Sequence, residues 1–192
     1  MAGEPMNIQT LRSPALKPRW AESELIQIAF VTDDMQASLD YWCGVMGVGP
    51  FFELRLVVDG AYRGQPSRLE TTTMIGYWGD LQVELIKQHN DAPSIYHGWE
   101  GGPFLLHHVC VMTSDIEAAR AKVAADGGEV VQTNDMPGGG VFYAKVGNGP
   151  YLEVAQVPEK VRALSDVMKQ AARDWDGVTD PVRPISFAGG SA

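Results

Sequence analysis

The sequence predicts an α+β fold built from two similar halves, each with the order strand, helix, strand, strand, strand (βαβββ), and followed by a C-terminal helix. Three observations support this prediction. A stretch of the chain recurs after 81 residues, and each copy begins with an apolar segment followed by an aspartate that suits the start of a helix. The closing segment of each half also holds one glutamate between apolar residues.

The repeat is clearest where each half begins. The segment I-Q-I-A-F-V-T-D-D-M-Q-A-S, from Ile26, aligns with H-H-V-C-V-M-T-S-D-I-E-A-A, from His107. Gln27 thereby falls on His108. The residues rich in Ile, Val and Phe predict a strand in each copy, and the aspartates predict helices over 34–46 and 115–125.

The rest of each half is divided by turn residues such as D-G, R-G-Q-P and M-P-G-G-G. The strands expected there are 51–58, 67–77 and 81–87 in the first half, and 129–133, 140–146 and 151–156 in the second. A helical repeat of apolar residues predicts a final helix over Glu159–Asp174. We therefore divide the chain into an N-terminal extension (1–24), a first module (25–100), a second module (101–158) and a C-terminal helix and tail (159–192).

Composition narrows the range of partners. Fifteen Lys and Arg residues against twenty-four Asp and Glu residues give a net charge of −9, which disfavours nucleic acid and anionic membrane as partners. No apolar stretch approaches the roughly 18 residues that span a bilayer. Cys43 and Cys110 lack the spacing of a zinc site, so we expect reduced thiols and a cytoplasmic location.

Four side chains suggest a metal site. Because alternate residues of a strand share a face, Gln27 and His108 are expected to face a cavity, and His107 to lie on the opposite face as a packed or surface residue. Glu84 and Glu153 lie in mid-strand between apolar neighbours, where a carboxylate is costly to bury without a cation or hydrogen bonds. Two such carboxylates at matched places suggest a shared cation.

These same segments resemble the vicinal oxygen chelate superfamily, in particular its branch of methylmalonyl-CoA epimerases and glyoxalase I-like proteins. The resemblance lies in V-E-L-I-K-Q, A-P-S-I-Y, L-L-H-H-V and G-P-Y-L-E-V-A-Q, and it covers roughly residues 25–158. It implies a curved mixed sheet around a central cavity, a homodimer, and a divalent ion (Mg, Mn, Co, Ni or Zn) bound in that cavity. The implied ligands are Gln27, Glu84, His108 and Glu153.

The implied activity is that of an isomerase, epimerase or glyoxalase-type lyase. Such an enzyme removes a proton beside a carbonyl or thioester through a metal-stabilised enediolate, and its small-molecule substrate carries two adjacent oxygens. Glu153 is the expected base, and Glu84 its counterpart on the opposite face. Four further residues are candidates for contact with the substrate: Phe51, Phe52, Tyr77 and Arg55.

Other interpretations remain open at this stage. The same fold could sequester a hydrophobic small molecule without metal, as the bleomycin-resistance proteins do. An extradiol dioxygenase is less favoured, because Gln27 stands where a histidine is needed. Glu84 and Glu153 could also be edge-strand charges that prevent aggregation, and Gln27 could satisfy backbone groups.

Overall fold

The computed structural model describes residues 20, 23–136 and 138–185. Most of the expected N-terminal extension and the end of the expected tail lie outside the described residues. The strands are β1 (Leu25–Val31), β2 (Phe51–Tyr62), β3 (Gln65–Trp78), β4 (Leu81–Gln88), β5 (Leu106–Met112), β6 (Glu129–Met136), β7 (Gly139–Lys145), β8 (Tyr151–Gln156) and β9 (Val182–Pro184). The helices are α1 (Met35–Leu39), which continues into a π-helical turn (Asp40–Val45), α2 (Ile116–Ala125) and α3 (Glu159–Arg173).

The strands form one sheet that closes on itself. Their order is β3-β4-β1-β5-β8-β7-β6-β2-β9, and β2 also pairs with β3. Strands β2 to β8 and β1 therefore make a closed ring, and β9 is attached to the outside of β2. The predicted α+β class, with a curved sheet and a C-terminal helix, is confirmed. The division into two modules stays a prediction.

The pairing around β1 and β5 repeats with the sequence. The two strands are antiparallel neighbours, and each has a parallel neighbour on its other side, β4 and β8 respectively. Ala29 pairs with Glu84, and Cys110, which aligns with Ala29 in the repeat, pairs with Glu153. The two glutamates thus occupy matched positions. Both lie on strands with a neighbour on each side, so they are not edge-strand charges.

The helices begin where the sequence predicts. Asp34 and Asp115 cap α1 and α2 by accepting hydrogen bonds from the backbone N–H groups of Ala37 and Ala118, at 3.0 and 2.9 Å. Each helix covers the outside of the sheet over a separate apolar cluster. The cluster under α1 includes Leu39, Trp42, Phe51 and Leu85, and the cluster under α2 includes Ala119, Val123, Phe142 and Val154.

The long β2–β3 hairpin differs from the prediction, which ended the first strand at the D-G pair. The turn lies instead at Arg63 and Gly64, which both have positive φ (48° and 75°), as a tight hairpin turn requires. Gly60 lies inside β2, and β6 passes close to it. A Cβ at this position would come within 2.1 Å of the Thr133 carbonyl oxygen on β6. This glycine permits the close approach of β2 and β6 that completes the ring.

Two parts of the chain outside the ring pack against it. The segment 89–105, between β4 and β5, places Ile95 and Tyr96 in the interior cluster. Helix α3 follows directly after β8 and lies against β3, with Met168 buried. Of the helices within the described ranges, none combines the length and apolar character needed to cross a membrane.

A glycine-to-alanine pair tests the close approach at Gly60. Gly60→Ala is expected to lower the free energy of unfolding by more than about 1 kcal/mol, because the added methyl group meets backbone atoms that cannot move aside. Gly44→Ala is the matched control, since nothing lies within 4 Å of its added methyl group. Urea unfolding measures both, and equal stabilities of the two variants would contradict the assignment.

Candidate metal centre

His108 lies at the centre of the ring and is fully buried. Its Nε2 atom lies 2.8 Å from Oε2 of Glu153 and 3.3 Å from Oε2 of Glu84. One ligand atom from each of the three residues can be chosen so that all three lie within 4.8 Å of one another. The matched register of β4 and β8 brings the two carboxylates to the same imidazole from opposite sides of the β1–β5 pair.

Three polar atoms around this group have no hydrogen-bond partner. Nε2 of His108 and Oε2 of Glu153 are close, but their relative orientation does not form a hydrogen bond, and neither atom has another hydrogen-bond partner in the described part of the chain. Oε1 of Gln27 is also buried without a partner there. Buried polar atoms normally have partners. Two carboxylates, an imidazole and an amide oxygen therefore fit a divalent cation.

Gln27 lies on the same face of the β1–β5 pair as His108. It pairs with Cys110, two residues along β5 from His108, and its side chain is buried. Its Nε2 atom donates to Oε1 of Gln82, and Nε2 of Gln82 donates to the Tyr77 hydroxyl at 2.7 Å. This chain of hydrogen bonds uses the amide N–H of Gln27 and leaves its oxygen free.

The charges around His108 alter its pKa. Burial alone would lower the pKa of His108, but the carboxylates of Glu153 and Glu84 outweigh burial and raise it to about 9. Burial raises the pKa of Glu84, and the charge of Glu153 raises it further, whereas contact with His108 opposes both effects. Without a metal, the imidazole is therefore expected to hold a second proton at neutral pH, and this proton balances part of the buried negative charge.

His107 does not lie on the opposite face as strict alternation predicts. Ala29 pairs with His108 and Phe30 with Leu106, so His107 is skipped in a bulge of the ladder. A bulge turns the side chain out of alternation. His107 is fully buried, with its Nδ1 atom 2.9 Å from Nδ1 of His108. Burial, and secondarily the charge of His108, lower the pKa of His107 to about 3.

A cavity of about 520 Å³ lies between the sheet and α3. Gln27, Cys110 and Glu153 border it from the strands. Its apolar wall includes Ile26, Leu54, Ile75, Val141, Leu164 and Met168. Residues of α3 that are spaced three or four positions apart face the cavity and cover it. The arrangement gives the buried Glu153 carboxylate access to a partly open cavity.

The four candidate substrate residues have different positions. Tyr77 is buried and borders the cavity. Phe51 is fully buried in the cluster under α1, where its ring fits against Gly76, and it does not border the cavity. Phe52 is half-buried and is likewise not part of the lining formed by the described residues. The Arg55 side chain is 82 % exposed and pairs with Glu53 at 2.8 Å.

Sequence reasoning did not find the residues that surround the ligands. Tyr143 pairs with Glu153 in the sheet, and its ring lies 5.3 Å from that of His108. Burial raises the pKa of Tyr143 and of Tyr96 well above the usual value, so both remain phenols. Gln82 could have been found, because it lies two residues before Glu84 on the same strand face. Tyr143 could not, because its position depends on the register between β7 and β8.

The closed sheet brings a histidine and two glutamates together in a group that could hold a metal ion, and the sequence profile of one family matches the chain. The chain belongs to the Glyoxalase/Bleomycin resistance protein/Dioxygenase superfamily, whose profile matches residues 26–144. This is the vicinal oxygen chelate superfamily that the sequence motifs resemble, and the family assignment is confirmed. No curated protein matches the chain.

Several solved structures are similar at low sequence identity. A hypothetical protein from Bacillus halodurans C-125 is 14 % identical, covers 72 % of this chain and 96 % of its own, and has a TM-score of 0.49. Methylmalonyl-CoA epimerase from Mycobacterium tuberculosis is 13 % identical, with coverages of 72 % and 91 % and a TM-score of 0.48. A selenomethionine-labelled methylmalonyl-CoA epimerase is 20 % identical, with coverages of 70 % and 95 % and a TM-score of 0.46. Similarity at this level assigns no reaction.

Metal binding is expected to depend on pH, because a metal and a proton compete for Nε2 of His108. With a pKa of about 9 in the metal-free protein, the deprotonated fraction rises about tenfold for each pH unit below that value, and the apparent affinity for Zn²⁺ is expected to rise at least in step. Calorimetry in buffers of different ionisation enthalpy would detect release of about one proton or more at pH 7.

Two variants serve as controls for this measurement. His108→Gln removes the competing proton and is expected to weaken Zn²⁺ binding and to reduce the proton release. His97→Gln, at an exposed position, is expected to leave both unchanged. An affinity for Zn²⁺ that does not change between pH 6 and pH 8 would contradict the role of His108.

Proposed function

We propose that this protein is a metal-dependent enzyme that removes a proton from a carbon beside a carbonyl or thioester, as an isomerase, epimerase or glyoxalase-type lyase. The observation that carries the proposal is the approach of Glu84 and Glu153 to one buried imidazole, with Glu153 also bordering the cavity. An ion pair that only stabilised the surface would not need to be buried inside the sheet. Buried carboxylates near a cavity are typical of sites that transfer protons.

Gln27, Glu84, His108 and Glu153 would hold the metal. When bound, a divalent ion supplies Lewis acidity to two adjacent substrate oxygens and so acidifies the neighbouring C–H bond. The donor set is mostly oxygen, which suits Mg, Mn, Co, Ni or Zn. Membership of the superfamily supports a metal-dependent activity of this kind without specifying the reaction.

Glu153 is the proposed base. It borders the cavity, and a carboxylate that leaves or shares the metal would accept a proton from a substrate carbon. Glu84 approaches His108 from the other half of the sheet and would serve the opposite face of the substrate. An epimerase needs a group on each face, whereas a lyase or isomerase can use one.

The cavity indicates the form of the substrate. Its volume of about 520 Å³ suits a small molecule, and its wall combines apolar residues such as Leu54 and Ile75 with charged residues such as Arg162 and Lys169, which suits a carbon skeleton that also carries a polar or charged group. A large handle such as glutathione or coenzyme A would have to extend past α3 into solvent. Of the four candidate substrate residues, Tyr77 is the one positioned to contact such a molecule.

Replacement of the base tests the proposal. Glu153→Gln keeps the shape of the side chain but removes its basicity, so solvent-deuterium exchange at the acidic carbon is expected to fall by about 10²-fold or more. Exchange would be followed by NMR in D₂O with protein loaded with Mn²⁺, Co²⁺, Ni²⁺ or Zn²⁺. The probes would be a panel of 2-substituted thioesters, including methylmalonyl-CoA, and 2-hydroxy ketones.

The matched control is Glu129→Gln, which changes an exposed carboxylate that is not part of the cavity lining formed by the described residues and is expected to exchange at the wild-type rate. If Glu153→Gln also exchanges at that rate, Glu153 is not the base. If the metal-loaded wild-type protein promotes no exchange with any probe, the proposed reaction class is wrong.

The apolar part of the cavity wall favours one alternative, a metal-free protein that sequesters a hydrophobic small molecule. Metal analysis after mild purification separates the two functions. The enzyme is expected to contain a divalent ion in stoichiometric amount, or to show a higher melting temperature when Mn²⁺, Co²⁺, Ni²⁺ or Zn²⁺ is added, because a ligand of the native state stabilises it. The absence of both effects would favour sequestration.

A further inference from the structure

His107 is enclosed by aromatic rings beside the metal centre. Its ring centroid lies 4.8 Å from that of Trp99, 5.3 Å from that of Tyr151 and 5.4 Å from that of Tyr96. The side chain is fully buried, and within the described residues its polar contacts are the His108 imidazole and the Ile95 carbonyl oxygen, with no carboxylate among them. Both of its ring nitrogens nevertheless have close polar neighbours, one on each side.

The two contacts of His107 fix where its proton lies. Nε2 lies 3.0 Å from the backbone carbonyl oxygen of Ile95, which can only accept, so Nε2 carries the hydrogen. A neutral ring then leaves Nδ1 as an acceptor. That atom lies 2.9 Å from Nδ1 of His108, which must therefore be the donor. The opposite nitrogen of His108, Nε2, is the atom beside Glu84 and Glu153.

We propose that His107 is a positioning residue: it accepts the Nδ1–H of His108, donates to the Ile95 carbonyl, and thereby keeps the Nε2 lone pair of His108 available for a metal between Glu84 and Glu153. The proposal rests on the proposed function only in naming the metal as the occupant of that place. In metal sites, a partner for the second ring nitrogen fixes the tautomer and orientation of the ligand histidine. Here the partner is another histidine.

The acceptor at the end of this chain is itself held in place. The backbone N–H of Ile95 donates to Oε1 of Gln132 at 3.0 Å, and Oγ of Ser94 accepts from the N–H groups of Tyr96 and His97. Oγ of Ser94 in turn donates to Oε1 of Gln88 at 2.6 Å. The segment 89–105 thus has a structural role at the metal centre, although it supplies no ligand. It fixes the carbonyl on which the orientation of both histidines depends.

A purely structural role for His107 makes a different prediction from the proposed one. If the ring only fills space between Tyr96, Trp99 and Tyr151, then phenylalanine should replace it well and asparagine should leave a void. If its Nδ1 matters as an acceptor, then asparagine should replace it better, because Oδ1 of asparagine can take the position of Nδ1. The two roles therefore rank His107→Phe and His107→Asn in opposite orders.

The test measures Zn²⁺ affinity at pH 7.5 by competition with a chromophoric chelator, for the wild-type protein and both variants. His107→Phe is expected to bind Zn²⁺ about 10- to 100-fold more weakly than the wild-type protein, and His107→Asn to recover most of that loss even where its melting temperature is lower. Zn²⁺ affinity for His107→Phe equal to or above that for His107→Asn would overturn the proposal.

A second measurement requires neither metal nor variants. In the ¹⁵N-labelled, metal-free wild-type protein, NMR of the imidazole nitrogens is expected to show His107 protonated at Nε2 only and His108 protonated at Nδ1. A proton on Nδ1 of His107 would overturn the proposal. Wild-type protein that shows these protonation states but binds no Zn²⁺ would support the arrangement of the two histidines and contradict the proposed metal-dependent function.

Discussion

The structure depends on one electrostatic constraint: two carboxylates are held beside a single imidazole inside a closed sheet. Buried like charges repel strongly when no cation lies between them. A positive charge is therefore required where Nε2 of His108 meets Glu84 and Glu153, and either a proton or a metal ion can supply it. A divalent ion has the advantage that its two charges balance both carboxylates, while Gln27 adds an oxygen ligand without adding charge.

Repetition of the sequence explains how these groups meet. The antiparallel contact of β1 with β5 brings equivalent strands together, and the parallel contacts with β4 and β8 place one glutamate on each side. The halves differ at one pair of matched positions, where the first provides the amide of Gln27 and the second the imidazole of His108. The neighbouring groups differ as well: Gln82 holds Gln27, whereas His107 contacts His108. A nearly symmetric scaffold thus carries an asymmetric set of candidate ligands.

The sequence was sufficient for features that depend on local pattern. The α+β class, the aspartate caps and the matched glutamates all follow from alternation, spacing and repetition, and the structure agrees with them. Features that depend on contacts between distant strands could not be predicted from the sequence. The bulge at His107, the close approach at Gly60 and the place of Phe51 outside the cavity each result from the pairing or packing of strands far apart in sequence. A single-residue irregularity in register was enough to invert the expected orientation of His107.

Closure of the ring by β2 determines whether two mutant forms of the protein could complement each other when expressed together. All four candidate ligands, the cavity wall and the helix that covers it belong to one polypeptide. Two damaged alleles, one with Glu84→Gln and the other with Glu153→Gln, could not restore each other when expressed together, because each product would carry its own defect within its own ring. Recombination between the alleles, and not mixing of their products, would be needed to recover an intact centre.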